Sequence, residues 1–171
     1  MIKDFLGVLT KVKINGYAKK PGLEVSAFDP HDESSFHSGL FKLNVGGKRF
    51  LVKEVYSPVF PVNPHSQFVL HQKLQTLNHH LKRFNCEVAS YLFAWEGKRT
   101  SFVVSDFIPG ETLENWISKD SKREKSGVFN RFIKSRRILF DTFGIRDVTT
   151  RNVMFNPRTG KLTFFDLMPP N

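Results

Sequence analysis

The sequence predicts an α+β fold in two lobes. Two observations carry this prediction. Two β-hairpin patterns lie in the first two-thirds of the chain, and helical periodicity dominates the part that follows, before a small final hairpin. The chain has 171 residues, 40% of them hydrophobic and 18 of them Phe, which is enough apolar material for a packed core.

The first hairpin is predicted at residues 40–56, where strand formers flank Gly46-Gly47, a two-residue turn signal. A helix is predicted over residues 65–84, because apolar side chains recur there mostly at gaps of three or four and form one buried stripe. The members of this stripe are Phe68, Leu70, Leu74, Leu77, Leu81 and Phe84.

A second hairpin is predicted over residues 86–108, with its turn at residues 96–98. A helix then starts near Glu111 or Thr112, either of which is a plausible cap. A longer amphipathic helix is expected over residues 127–143. Its apolar side is predicted to consist of Phe129, Phe132, Ile133, Leu139 and Phe140.

The last element is a small hairpin, with strands at residues 153–155 and 161–165 and a tight turn at residues 156–160. Since the strands come mainly before the helices, we place the division between the two lobes at residue 108. The first lobe then covers residues 1–108 and the second residues 109–171.

Composition limits the classes of function. The formal net charge of +10 attracts phosphates, nucleic acid or anionic membranes without selecting one of them. The single cysteine, Cys86, excludes an internal disulfide framework and is expected to be a small core residue in a reducing compartment.

No apolar run reaches the roughly 18 residues of a membrane span, and the start lacks a clean signal-peptide core. We expect a cytoplasmic protein, or one secreted into a host cell without a classical signal.

Residues 119–137 hold eight Lys or Arg against two Asp or Glu. Such a run is usually a solvated helix face, but it could dock an acidic protein, a lipid headgroup or nucleic acid. Few aromatic residues accompany it for base stacking, so a nucleic-acid partner is disfavoured. The adjacent His79 and His80 point to different sides of a helix, and His71 has no matching Cys or carboxylate cluster, so no zinc site is predicted.

The most informative stretch is GIRDVTTRNVMFNPRTGKLTFFDL, residues 144–167. Asp147 is followed five residues later by Asn152 and fourteen residues after that by Asp166, around two short strands. In phosphoryl transfer, one Asp accepts or orients the proton of the acceptor hydroxyl, and an Asn and a second Asp hold Mg²⁺. Short strands around a rigid turn would fix the two metal ligands.

This stretch resembles the protein-kinase-like superfamily. IRDVTTRN resembles the catalytic loop H-R-D-L-x-x-x-N, which implies that Asp147 is the catalytic base and Asn152 a Mg²⁺ ligand. FFDLM stands where the family has D-F-G, which implies that Asp166 is the second Mg²⁺ ligand, although both following positions differ. Arg151 takes the place of the Arg in R-D-L-A-A-R-N loops, which implies a position near the transferred phosphate.

Three upstream segments extend the resemblance. RFLVKEV resembles the V-A-I-K strand, which implies that Lys53 contacts the α/β-phosphates of ATP. ESSFHSGLFKL occupies the place of the glycine-rich loop and implies Ser35 and Gly39 as phosphate contacts, although G-x-G-x-x-G is absent. VVSDFIPGETL resembles the hinge, where backbone groups from Asp106 to Ile108 would bind adenine.

Two features depart from the family. The family pairs the strand Lys with a helix Glu, but the helix predicted at residues 65–84 has no acidic residue. Gln72, nineteen residues after Lys53, is at a plausible position for that partner and would hydrogen-bond without supplying charge. The sequence also ends five residues after Asp166, without an activation loop or A-P-E. The resemblance therefore spans residues 33–167 of a stripped-down kinase, similar to small bacterial effector kinases injected into host cells.

The resemblance implies a two-lobed protein-kinase-like fold, with a β-rich, ATP-binding N-lobe over residues 1–108 and a reduced helical C-lobe over residues 109–171. The implied activity is Mg²⁺-dependent transfer of the γ-phosphate of ATP to a protein hydroxyl, with a host protein as one class of substrate. Two alternatives stay open: a non-catalytic nucleotide-binding module, and a kinase of a small molecule or sugar-containing lipid. The sequence does not determine whether the acceptor hydroxyl belongs to Ser/Thr or to Tyr.

Overall fold

The computed structural model of the protein describes residues 17–20, 23–27, 39–55, 64–96, 101–119 and 122–168. The chain divides into two compact units, of which the first comprises Met1–His65 and Tyr91–Phe107 and the second Ser66–Ser90 and Ile108–Asn171. The change of unit after Phe107 lies one residue from the predicted division. Residues 66–90, however, belong to the second unit, whereas the predicted division places them in the first.

The strands and helices are listed here in chain order. The strands are β1 (Tyr17–Lys20), β2 (Leu23–Ala27), β3 (Gly39–Val45), β4 (Lys48–Val55), β5 (Cys86–Val88), β6 (Tyr91–Glu96), β7 (Ser101–Asp106), β8 (Glu111–Thr112), β9 (Val153–Asn156) and β10 (Lys161–Phe164). The α-helices are α1 (Pro64–Leu74), α2 (Asn78–Leu81), α3 (Leu113–Ser118) and α4 (Lys122–Phe143), with short 3-10 turns at residues 75–77, 82–84 and 150–152.

The first unit is built on an antiparallel sheet of six strands in the order β1-β2-β3-β4-β7-β6. The predicted hairpin of β3 and β4 is confirmed, and its turn residues Gly46 and Gly47 have φ values of 56° and 81°. Glycine enters this region without the Cβ clash that other residues meet, so the Gly-Gly pair permits the tight connection. Val52 and Phe102 are buried at the centre of the sheet.

The second unit contains a four-stranded sheet in the order β5-β10-β9-β8. Strands β9 and β10 form the predicted final hairpin, and β10 also pairs in parallel with β5. The prediction had assigned Cys86–Val88 to the second hairpin. The segment is instead a separate strand, because Cys86 and Val88 face the core of the second unit and the Ala89 amide donates to the Phe164 carbonyl at 2.8 Å.

The helices of the second unit pack on this sheet. The helix predicted over residues 65–84 is present as α1, α2 and their 3-10 turns, and it ends at Asn85, which has a φ of 54°. Thr112 is the N-cap of α3, as predicted, and its hydroxyl accepts from the Asn115 amide at 3.2 Å. The core includes Leu74, Leu81, Leu113, Phe132, Leu139, Val153, Leu162 and Phe164.

The prediction for the apolar side of α4 was partly wrong. Phe132 and Leu139 are buried, but Phe129, Ile133 and Phe140 are 42%, 42% and 48% exposed. At about 100° per residue, Phe129, Ile133 and Phe140 point roughly 90° away from the direction that Phe132 and Leu139 share, so the packing face lies to one side of the predicted stripe. The core face is completed by Val128 instead.

None of the described helices is long and apolar enough to span a membrane. The thiol of Cys86 is buried and donates to the Phe84 carbonyl at 3.2 Å, and burial raises its pKa. Both facts agree with a core residue, because a buried neutral thiol is a poor nucleophile.

Candidate active site

The loop that carries Asp147 begins where α4 ends. Gly144 has a φ of 69° and its amide donates to the Phe140 carbonyl at 2.8 Å, which closes the helix in the manner favoured for glycine. Ile145 and Val148 on either side of Asp147 are 1% and 0% exposed. These two buried side chains anchor an otherwise irregular segment, so the position of Asp147 is set by core packing.

Asn152 connects this loop to the final hairpin. Its side-chain amide donates to the Asp147 carbonyl at 3.0 Å, and its own carbonyl accepts from the Phe165 amide at 2.9 Å. The first bond holds the Asn152 side chain across the loop, and the second holds Asn152 beside the residue that precedes Asp166. No hydrogen bond recorded among the described residues uses the amide oxygen of Asn152, which leaves it as an acceptor.

Asp166 directly follows the 164–165 end of the hairpin and has a φ of 54°. This left-handed conformation is uncommon outside glycine but is tolerated by Asp better than by most residues. The chain turns there, so that Leu167 is buried and the Met168 amide donates to Oδ2 of Asp147 at 3.0 Å. These hydrogen bonds link Asn152 to Asp147, Phe165 to Asn152 and Met168 to Asp147. Together with the chain from Phe165 to Met168, they form a closed ring of contacts, called the circuit below, and Asp166 lies within it.

The carboxyl group of Asp147 has an unusual environment. Oδ2 accepts the Met168 amide, whereas Oδ1 is buried and has no hydrogen-bond partner among the described residues. Burial raises the pKa of Asp147 from 3.8 to about 6, the Met168 amide opposes this rise, and the nearby Asp166 carboxylate adds to it. A carboxyl group with such a pKa is suited to take up a proton near neutral pH.

Helix α1 contributes two buried polar side chains to this circuit. Nε2 of Gln67, which is 1% exposed, donates to Oδ1 of Asp166. His71, one turn later, is 0% exposed, and its Nε2 accepts from the Leu167 amide at 3.2 Å. Because that nitrogen must be an acceptor, the proton resides on Nδ1, which faces the Ala89 carbonyl at 3.4 Å. Helix α1 therefore holds both the side chain of Asp166 and the residue after it.

Gln67 and His71 are not among the residues predicted for the site. Gln72 on the same helix is predicted there from its distance along the chain to Lys53, and Gln72 is exposed. The available signal was the helical period, because Gln67 and His71 are four residues apart and lie in phase with the apolar positions 70 and 74. Polar residues on the core face of a helix need partners when buried, which marks them as candidates.

The other predicted residues lie in different places. Arg151 is on the 3-10 turn of the second unit, and its Nε donates to both carboxylate oxygens of Glu114 at 3.0 Å. Lys53 is half-buried in β4 of the first unit, between Leu40 and Val103 on the neighbouring strands. Gly39 is the first residue of β3. Ser35 lies outside the described residues.

The predicted adenine-binding connector coincides with the change of unit. Asp106 is the exposed last residue of β7, and Ile108 is the first residue assigned to the second unit. The amide of Phe107, which lies between them, donates to the Arg49 carbonyl at 3.2 Å. The Phe107 amide, one of the backbone donors of the connector, is therefore already hydrogen-bonded.

The donor set of the second unit fits Mg²⁺. Two carboxylates and one amide oxygen are hard oxygen ligands, and Mg²⁺ in proteins is commonly held by one or two carboxylates together with phosphates of the substrate. Asp166 and Asn152 would hold the ion through their side-chain oxygens. This set contains only two carboxylates. A group of three or more His, Cys, Asp or Glu side chains that could hold a metal does not occur among the described residues.

The fold is similar to that of solved protein kinases. The chain aligns with Rad53 1–466 in complex with AMP-PNP at a TM-score of 0.59 and 16% identity, covering 84% of this chain and 38% of that chain. It aligns with the Cydia pomonella granulovirus kinase PK-1 at a TM-score of 0.54 and 17% identity, covering 92% of this chain and 54% of that one. The chain thus spans about half or less of these kinases.

No protein-family model and no curated protein matches the sequence. The two structural similarities confirm the predicted α+β, protein-kinase-like fold. At identities of 16% and 17% they concern the fold alone.

Proposed function

We propose that this chain is an ATP- and Mg²⁺-dependent protein kinase, which transfers the γ-phosphate of ATP to a hydroxyl group of a protein. The observation that supports this proposal is the hydrogen-bonded circuit that links Asp147 to Asn152 and to the residues on either side of Asp166, because a phosphoryl-transfer site needs these three residue types. A host protein is proposed as one class of substrate, on the ground of the resemblance in sequence to small bacterial effector kinases injected into host cells.

Asp147 has the central role in the proposed reaction. Its carboxylate takes the proton of the acceptor hydroxyl as the hydroxyl oxygen bonds to the γ-phosphorus and the bond from that phosphorus to the oxygen of the leaving ADP breaks. The Met168 amide holds Oδ2 and thereby orients the carboxyl group. The raised pKa of Asp147, about 6, makes it a stronger base than an ordinary carboxylate.

The remaining roles concern charge. Asp166 and the amide oxygen of Asn152 would hold Mg²⁺, which when bound would neutralise charge on the phosphate oxygens. Lys53 of the first unit contacts the α/β-phosphates, and Ser35, Gly39 and Gln72 keep the supporting roles that the resemblance implies.

Arg151 offsets charge on the transferred phosphoryl group once it leaves Glu114. The Arg151 side chain is 71% exposed and the Glu114 side chain 46%. Ion pairs this exposed contribute little stability, so a phosphoryl group can compete for Arg151. The backbone from Asp106 to Ile108 is proposed to bind adenine.

Nucleotide binding by the purified full chain tests the first half of the proposal. We expect thermal stabilisation by ATP that depends on Mg²⁺, loss of the Mg²⁺ dependence in Asp166→Ala, and retained stabilisation in Asp147→Ala. Asp141→Ala is the matched control, because Asp141 is an exposed carboxylate on α4 that pairs only with Arg137 in the described structure. Absence of any stabilisation of the wild type would contradict the proposal.

Transfer of radiolabelled phosphate tests the second half. We expect labelling of protein in a lysate by the wild type and by Asp141→Ala, but not by Asp147→Ala. Binding of ATP without transfer would favour the non-catalytic module. Labelling of lipids or small metabolites in place of protein would favour the small-molecule kinase.

A further inference from the structure

Gln67 occupies an unusual position for a neutral side chain. It is in the first turn of α1, is 1% exposed, and its Nε2 donates to Oδ1 of Asp166. Its other polar atom, Oε1, is buried and has no hydrogen-bond partner among the described residues. Burying an amide oxygen without a donor is costly, so Oε1 is suited to accept a hydrogen bond from a donor that approaches Asp166.

The orientation of the amide follows from the chemistry of its neighbour. An ionised carboxylate only accepts hydrogen bonds, so the NH₂ end of Gln67 must face Asp166 and the carbonyl end must face away. The bond occupies Oδ1 of Asp166 and fixes the rotation of the carboxyl group. The carboxylate is thereby held in one orientation before any ion arrives.

A neutral residue at this position has an electrostatic consequence. Asp147 and Asp166 are already close enough for the charge of Asp166 to act on Asp147. A third carboxylate in the first turn of α1 would repel both. Gln67 orients Asp166 without adding a negative charge, and it offers an amide oxygen as an acceptor for a water bound to a cation or for an ammonium group.

We infer that Gln67 is a positioning residue for the metal-binding carboxylate Asp166, and that helix α1 controls Mg²⁺ affinity through this side chain. This inference rests on the proposed function. It assigns to Gln67 a contact with Asp166 that is separate from the partnership with a strand lysine predicted for Gln72. The hydrogen bond from the Leu167 amide to His71 makes the coupling stronger, because α1 then holds both the Asp166 carboxyl group and the residue that follows it.

Mn²⁺ binding to the full chain in the presence of AMP-PNP tests the inference, because bound Mn²⁺ is counted directly by electron paramagnetic resonance without turnover. Gln67→Met keeps the side-chain volume and removes both polar atoms. We expect it to weaken Mn²⁺ binding by about tenfold, the lower end of the effect of such supporting residues, and to leave AMP-PNP binding without metal unchanged. Gln75→Met is the matched control, because Nε2 of Gln75 donates to Ser90 Oγ and the Ala89 carbonyl instead.

The outcomes separate the two proposals. Wild-type Mn²⁺ binding that Gln67→Met leaves unchanged would overturn the role of Gln67 and leave the proposed function intact. An equal loss in Gln67→Met and Gln75→Met would also overturn it, because the loss would then not depend on the contact between Gln67 and Asp166. Failure of the wild type to bind Mn²⁺ with AMP-PNP would remove the proposed function itself and the inference with it.

A measurement on the wild type covers the case in which Gln67→Met does not fold. The side-chain ¹⁵N–H₂ signals of glutamine report their own hydrogen bonds in nuclear magnetic resonance spectra. On adding Mg²⁺ at constant AMP-PNP, we expect the signals of Gln67 to shift and those of Gln75 to stay in place. Unchanged Gln67 signals in a protein whose Asp166 signals do shift would contradict the inference.

Discussion

The backbone amide of Met168 donates to Oδ2 of Asp147 at 3.0 Å, although the two residues are 21 positions apart. The bond joins the loop after α4 to the segment that follows Asp166. It satisfies one carboxylate oxygen and leaves Oδ1 buried without a partner among the described residues. Asp147 is therefore well oriented but poorly solvated, and its pKa rises for that reason.

The first prediction concerns the pH dependence of activity. Burial raises the pKa of Asp147 to about 6, so the group is protonated, and inactive as a base, at lower pH. We expect kcat/KM to fall about tenfold per pH unit below pH 6 and to be level from pH 7 to 8. Rates of transfer from pH 5 to 8 measure this, and a profile that is level down to pH 5 would contradict the assigned base.

The second prediction concerns stability. Since the pKa of Asp147 is 3.8 ordinarily and about 6 in the folded protein, the folded state binds the proton more tightly, and the free energy of unfolding falls as pH rises from about 4 to about 6. Asp147→Asn removes the buried charge. We expect it to be more stable than the wild type at pH 8 by about 1 kcal/mol, after allowing for partial solvent exposure.

Melting temperatures of Asp147→Asn and the wild type at pH 8 and pH 4 measure this difference. We expect Asp147→Asn to melt about 3 °C higher at pH 8, with the gain disappearing near pH 4, where the wild-type carboxyl group is protonated. Asp141→Asn, at an exposed carboxylate, should show no such pH-dependent gain. A gain of the same size at both pH values would show that charge is not the cause.

The third prediction concerns His71. Replacing it by Leu leaves the buried Leu167 amide without its acceptor, which should lower the free energy of unfolding by about 1–3 kcal/mol. The matched control is His79→Leu, because His79 is exposed and bonds only locally, to the Thr76 carbonyl at 2.8 Å. Urea unfolding of both variants measures the difference, and equal midpoints would rule out this structural role.

The fourth prediction compares two glycines. Gly110 has a φ of 126°, and a Cβ there would lie 2.2 Å from the Phe155 carbonyl oxygen. Because that oxygen belongs to the backbone of β9, we expect Gly110→Ala to destabilise the protein by about 4 kcal/mol or more. Gly127→Ala should do the opposite by about 1 kcal/mol, since it lies in α4 with open space around a Cβ. Thermal unfolding of the two variants tests the opposite signs.

The sequence by itself determined the elements whose signals are local. The Gly46-Gly47 turn, the Thr112 cap and the apolar period of residues 65–84 depend on backbone preferences and nearest neighbours, and each appears where it was predicted. The fold class followed from the order of these elements together with the motif around Asp147.

Only the tertiary structure decided the long-range pairings. The parallel partner of Cys86–Val88 is a strand about 76 residues away, and no local pattern specifies that choice. Which glutamine of α1 reaches Asp166 depends on how the helix is rotated against the final hairpin, and this rotation is set by the packing of the whole core. The sequence therefore predicted Asp147 and Asp166 as candidate residues, whereas packing determines that Gln67 donates to Asp166 and that His71 accepts from the Leu167 amide.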